Sequence, residues 1–166
     1  MLEKASDHVE FVIRSAASSD ARALARLRHA LRSTTGIATE EEKTFLDRCA
    51  VWMEQRLNGD TLWHCWMAET GGDAIGCLWL QQVEKIPNPR REAEHHAYLT
   101  NFYVHESVRG QGIGTRLLYE AISWCRMHDV HAIILWPTER SRPLYQRHGF
   151  AVREDIMELL IDQPAK

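Results

Sequence analysis

The chain has 166 residues, 45% of them apolar and 26% charged, with a formal net charge of −3. That length suits one domain, residues 1–166, with a sizeable core, and the composition excludes a disordered chain. No apolar run approaches the roughly 18 residues of a membrane span, residues 1–7 lack the apolar segment of a secretion signal, and dispersed charge leaves no footprint for nucleic acid. A cytoplasmic protein with neither a membrane nor a nucleic-acid partner is expected.

In chain order, residues 9–13 read as a first strand. Ser18-Ser19-Asp20 offers N-caps for a helix with Leu24, Leu27 and Leu31 on one face. Thr39-Glu40-Glu41-Glu42 has the form of a capping box. It opens a second helix striped by Leu46, Ala50, Met53 and Leu57 and closed at Asn58-Gly59. Residues 62–68 and 74–80 form a hairpin around Gly71-Gly72, and the proline-broken residues 86–91 form a surface loop. Residues 96–104 make the next strand. The following helix starts at Ile113 and carries Leu117, Leu118, Ala121, Ile122 and Cys125 at helical spacing. Residues 131–136 are a strand, residues 142–148 a short helix, and from Phe150 one or two final strands end near Ile161. The order is β-α-α-β-β-β-α-β-α-β(-β), an α/β (α+β) chain.

The four cysteines, Cys49, Cys65, Cys77 and Cys125, show no Cys-x-x-Cys spacing, which argues against zinc. Cys65 and Cys77 lie nearly equidistant from the Gly71-Gly72-Asp73 turn and are expected as cross-strand neighbours. Nothing points to an oxidising compartment, so small buried thiols are expected rather than a disulfide. His95 and His96 are adjacent, face opposite sides of a strand and cannot chelate together; no metal is expected.

The chemistry-bearing segment is Arg109-Gly110-Gln111-Gly112-Ile113-Gly114, between a strand and a helix. Alternate glycines let backbone N–H groups approach an anion, and the helix start adds unsatisfied donors and its positive dipole end. A nucleoside-triphosphate loop would need Lys-Ser or Lys-Thr after the last glycine, where this chain has Thr115-Arg116. A dinucleotide fingerprint would need glycine at Thr115 and an acidic residue after the next strand, which ends in Trp136-Pro137.

The Arg-x-x-Gly-x-Gly pattern from Arg109 to Gly114, followed by Pro143-Leu144-Tyr145-Gln146-Arg147-His148-Gly149-Phe150, resembles the GNAT superfamily of acyl-CoA-dependent N-acetyltransferases. The strong part of the resemblance runs from Tyr98 to Phe150. It implies a mixed, mostly antiparallel central sheet of about six to seven strands flanked by about four helices. It implies acetyl-CoA as acyl donor, with the pyrophosphate held by Arg109, Gly110, Gln111, Gly112, Ile113, Gly114 and Thr115. The strand before the loop would splay from its neighbour, and its backbone at Phe102, Tyr103 and Val104 would pair with the pantetheine arm and polarise the acyl carbonyl. Tyr145 matches the family's general acid; a phenol with an ordinary pKa of about 10 stays protonated at pH 7.

Many members carry Asn where this chain has Thr138, which could still bond the cofactor; Arg142 is a further cofactor candidate. No acidic residue lies inside the strand that would carry the base. His96, Tyr98 and Thr100 alternate onto one face; His96 has a suitable intrinsic pKa of about 6.5, and a water chain through Tyr98 and Asn101 is an equal alternative.

Acceptor contacts are expected from the first two helices, the Gly36-Ile37-Ala38 connection and the loop at residues 87–94. Arg22, Arg26, Arg28 and Arg32 read as a solvated face, although Arg28 and Arg32 lie one turn apart and could hold a carboxylate or phosphate. Trp63, Trp66 and Trp79 are expected to pack core or a subunit interface, which leaves a homodimer open. The expected activity is acetyl transfer to a primary amine of a small molecule, peptide or protein by direct attack in a ternary complex. The alternative is a non-catalytic acyl-CoA-binding domain.

Overall fold

The computed structural model describes residues 9–37, 39–59 and 62–161; residues 1–7 and Ala38, invoked above, lie outside them. The elements are β1 (Val12–Ser15), a 3-10 turn (Ser18–Asp20), α1 (Ala21–Ser33), α2 (Glu42–Leu57), β2 (Trp63–Thr70), β3 (Asp73–Glu84), β4 (His95–Val104), a second 3-10 turn (Glu106–Val108), α3 (Ile113–Met127), β5 (Val130–Ile134) and α4 (Arg142–Arg147). Packing divides the chain into two units, one reaching Leu135 and one starting at Trp136. Among the described residues no helix is long and apolar enough to cross a membrane, and no cluster of three or more His, Cys, Asp or Glu could hold a metal.

The first unit is a five-stranded sheet in the order β1-β2-β3-β4-β5. The first three pairings are antiparallel, and β4 with β5 is parallel. The period of two along β3 sorts the core. Cys77 and Trp79 face α1 and α2, packing with Leu24, Leu27, Leu46 and Met53. The opposite face belongs to α3, whose Leu117 lies 3.4 Å from where a Cβ on Gly76 would sit. Ile113, Leu117, Leu118 and Ala121 are almost fully buried there, as their helical spacing requires. Trp52, Trp63 and Trp79 cluster with ring centroids 5.1–6.2 Å apart, so these tryptophans serve packing. Cys65 pairs with Trp79 and Cys77 with Met67; the two thiols are therefore diagonal rather than directly opposite.

Several boundaries differ from the sequence expectation for local reasons. β1 starts at Val12 rather than at residue 9, because the backbone before it is tied elsewhere: the Val9 N–H donates to Gln111 Oε1 at 2.8 Å, and Glu10 O accepts from Thr70 Oγ1 at 2.7 Å. Glu41, not Thr39, caps α2, because its carboxylate reaches the N–H groups of Lys43 and Thr44 at 3.0 and 2.7 Å. The largest correction concerns residues 150–161, which add no strand, so the sheet has five strands rather than six or seven. A strand is stable only as half of a ladder. Here an Arg153–Asp155 ion pair closes a turn, and Val152, Ile156, Met157 and Leu159 are exposed instead of alternating.

The second unit holds α4. Pro143 sits in its first turn, where a missing N–H costs nothing. Its end is closed by Gly149 at φ 88°, with the Phe150 N–H donating to Tyr145 O at 3.1 Å.

Candidate active site

The glycine loop is shaped by two left-handed residues. Gly110 and Gly112 have φ of 82° and 83°, a region that costs any residue with a Cβ. Gly112 is also the N-cap of α3 and supplies no side-chain cap. The first intrahelical bond runs from the Arg116 N–H to Gly112 O at 3.0 Å, so the N–H groups of Ile113, Gly114 and Thr115 lie at the open start of the helix, where its dipole is positive. A Cβ at Gly110 or Gly112 would meet no heavy atom within 4 Å; the space beside the loop is clear. Arg109 points back toward β4: its Nε donates to Val104 O at 2.9 Å, its Nη1 bonds Glu106 at 3.0 Å, and its guanidinium lies 5.7 Å from the Tyr103 ring centroid. It clamps the loop onto the strand end. Gln111 holds the other side through Val9.

The strand feeding this loop is bulged. Cys77 pairs with Tyr103 and Trp79 with Thr100, so β4 takes one more step than β3 across this stretch. The extra residue falls at Asn101–Phe102, and Asn101 has φ 48°, a conformation Asn tolerates better than most residues. Alternation before the bulge puts His96, Tyr98 and Thr100 on the α1/α2 face, as expected. The bulge then resets the parity, so Tyr103 rather than Phe102 joins that face and packs in the core. The parallel ladder with β5 stops at Tyr98 opposite Ile134, while β4 continues to Val104. Ile134 is the last residue of β5, so the rest of β4, including the bulge, runs on past it, where a bulge bends the strand and increases local twist.

Around the bulge, the Arg28 Nη1 of α1 donates to Asn101 Oδ1 at 3.4 Å. The Cys77 thiol donates to Asn101 O at 3.6 Å, and burial pushes that thiol up to about 12. His96 lies elsewhere, five residues back along β4, about 16 Å away by strand rise. Its ring meets His131 edge-on at 5.4 Å. Its Nδ1 is buried with no hydrogen-bond partner. Burial, with Lys85 and His131, lowers its pKa.

In the second unit Tyr145 is buried and meets Phe150 edge-on at 5.5 Å. Burial pushes its phenol up to about 12, so it is protonated at neutral pH. Thr138 is engaged in a reciprocal cap: its N–H donates to Ser141 Oγ at 3.0 Å, and its Oγ1 accepts from the Ser141 N–H at 3.2 Å. Arg142 is exposed at the start of α4.

The chain has matches among known proteins. The model of the acetyltransferase (GNAT) family matches residues 24–150. The chain belongs to the GNAT family. An uncharacterized N-acetyltransferase of Methanocaldococcus jannaschii is 29% identical over 98 residues, 54% of this chain; the match spans only 40% of that relative's length. A predicted acetyltransferase from Clostridium acetobutylicum, crystallised with acetyl-CoA, superposes with TM-score 0.78 at 22% identity, covering 92% of this chain and 97% of its own. A GCN5-related N-acetyltransferase from Ralstonia eutropha gives TM-score 0.72 at 25% identity, covering 91% and 99%.

Within the GNAT frame, the first unit brings together the glycine loop, Tyr103 and Val104 at the end of β4, with Asn101 and Tyr98 just before them. It does not bring His96 to the bulge. Sequence reasoning missed the Val9–Gln111 tether, which joins residues too far apart to be paired by pattern. It also missed the bulge, for which the only sequence signal was an asparagine, a residue depleted in strands, inside an otherwise β-prone run.

Proposed function

We propose that the chain is an N-acetyltransferase that moves an acetyl group from acetyl-CoA to a primary amine of a small molecule, peptide or protein, with residues 1–166 acting as one acyltransferase domain. The observation that carries the proposal is the left-handed, side-chain-free Gly112 cap in the loop that follows a strand running on past the end of its parallel neighbour. Such a cap suits a pyrophosphate: the N–H groups of Ile113, Gly114 and Thr115 point outward, and the clear space at Gly110 and Gly112 lets an anion come close. Gln111 shapes the loop and Arg109 fixes it to the strand. The backbone from Phe102 to Val104 would line the pantetheine arm. Bound there, the thioester supplies an activated acyl carbon.

Tyr145 keeps its phenolic proton and is the group assigned to protonate the departing sulfur. With no carboxylate in β4, the ammonium proton of the acceptor is assigned to water held by the Tyr98 hydroxyl and the Asn101 side chain. Thr138, whose hydroxyl also caps the turn through Ser141, and Arg142 are the cofactor-contact candidates at the start of α4.

The test is to titrate acetyl-CoA into the purified protein and then to screen amines for acetyl-CoA-dependent thiol release, with acetylated product confirmed by mass. Tight acetyl-CoA binding with no thiol released across amines, peptides and proteins would favour a non-catalytic acyl-CoA-binding role. Absence of binding would overturn both.

A further inference from the structure

The arginines packed around α1 are not equivalent. Arg14 is paired with Asp20 and Glu69, Arg22 with Asp47, and Arg48 with Glu40. Arg28 is half-buried, and among the described residues no carboxylate stands within ion-pair distance of it. Its side-chain hydrogen bond is the long one to the neutral Asn101 amide, 3.4 Å. The titratable groups that act on it are Arg32, Cys49, Tyr98 and Cys77, one guanidinium, two thiols and a phenol, with no carboxylate among them. Burial, then Arg32, lowers its pKa, a sign that the charge is under-compensated. A guanidinium offers five N–H donors in a planar fork. Leaving most of them unmatched in a half-buried position is costly unless something else completes the set.

Position indicates what that is. Arg28 touches β4 at the left-handed Asn101, on the α1/α2 face, where Tyr98 also faces. The glycine loop lies farther along the chain, beyond the end of this strand. Arg32 follows Arg28 by one helical turn, on the same side of α1. A molecule approaching the bulge from the α1 side therefore meets two cations, and among the described residues no carboxylate is ion-paired with either.

We propose that Arg28, supported by Arg32, binds an oxyanion of the acceptor, so that the substrate class is an amine that also carries a carboxylate or a phosphate. This rests on the transferase reading above and narrows its acceptor. The fork geometry suits bidentate capture of either oxyanion. Asn101 positions the fork by accepting from Nη1, and the bound oxyanion supplies the missing counter-charge.

The experiment uses matched amines that differ only in the anion: glycine against glycinamide, β-alanine against β-alaninamide, lysine against lysinamide, and phosphoethanolamine against ethanolamine. Two readouts are taken on wild type, Arg28→Gln and Arg28→Lys: kcat/KM by thiol release from acetyl-CoA, and affinity by calorimetric titration of the same amines in the presence of CoA. For at least one pair, wild type should favour the anionic member by about tenfold or more in both readouts. Arg28→Gln should erase that ratio, chiefly through the acceptor KM, and Arg28→Lys should restore part of it. The carboxylate and phosphate pairs tell the two oxyanions apart. A wild-type ratio at or below unity in every pair overturns the proposal, as does an Arg28→Gln variant that keeps the wild-type ratio. An anionic preference in calorimetry that depends on Arg28, with no thiol released from any amine, would overturn the transferase reading and leave the oxyanion site standing.

Discussion

The glycine loop and the Arg28–Asn101 contact both flank the second half of β4, yet they are built from different material. The loop is backbone: two left-handed glycines, an uncapped helix start and a side-chain clamp from Arg109 that only holds it in place. The contact is side chain, made by residues 73 positions apart that meet because α1 packs on the sheet. A backbone site depends on where glycine is allowed and serves any ligand with a pyrophosphate. A side-chain site depends on which residues the packing delivers, and it can change acceptor while the fold stays the same. The donor end of the proposed reaction is thus local and generic, and the acceptor end is non-local and particular to this chain.

The sharpest way to break that contrast is at the donor end. Gly112→Asp introduces a Cβ at φ 83° and a negative charge against the expected pyrophosphate; acetyl-CoA affinity should fall at least about 100-fold by equilibrium titration. Gly112→Ala separates the two effects. Its Cβ meets nothing within 4 Å, so the change should cost about 1 kcal/mol of stability in urea, from the backbone angle alone, and far less affinity than aspartate does. Aspartate binding as well as alanine would show that the loop does not face the pyrophosphate.

Tyr145→Phe should come next, lowering kcat by about 100-fold with little change in the KM for acetyl-CoA. Burial raises the phenol above its ordinary pKa of 10 to about 12. The folded protein therefore keeps a proton that the unfolded chain loses above about pH 10. The stability linked to that proton is fully present below pH 10 and is lost as pH rises toward 12. Tyr145→Phe should remove this alkaline loss, read as urea midpoints across that window. An alkaline fall in rate centred at or below pH 10 that disappears in Tyr145→Phe would show a phenol without the burial seen here.

The same contrast explains what could be read from sequence. The element order up to α4, the glycine loop and the Tyr145-to-Phe150 segment were legible, because each rests on spacing within a few residues. The five-strand sheet was not, because strand-like composition in residues 150–161 says nothing about whether a ladder partner is in reach. The Thr138–Ser141 cap was not, because a hydroxyl that suits a cofactor suits a helix cap equally well. The four arginines of α1 looked alike as a helical face. Only tertiary packing separates Arg22, which has Asp47, from Arg28, which has a neutral amide, and hence gives the intermediate, about tenfold effect expected of Arg28→Gln on acceptor choice.

His96 should give the smallest effect and is the most direct test of where the reactive end lies. Its intrinsic pKa made it a reasonable base from sequence. In the fold it pairs with Val83 near the start of β4, about 16 Å of strand from the Asn101 bulge, with a buried Nδ1 that bonds nothing and its ring against His131. His96→Phe keeps a ring in that contact and removes the orphaned nitrogen, so folding should be little affected. We expect kcat to stay within about threefold of wild type. The pH profile makes the result decisive. Burial lowers the His96 pKa below 6.5, so a His96 base would be active above that lowered value and would lose activity only at more acid pH. A wild-type acid limb below 6.5 that vanishes in His96→Phe, together with a large fall in kcat, would move the proton acceptor toward the start of β4. It would also separate it from Arg28 and Asn101. If the limb persists in the variant, His96 does not set it, and the water held by Tyr98 and Asn101 stays the proposed route for the proton.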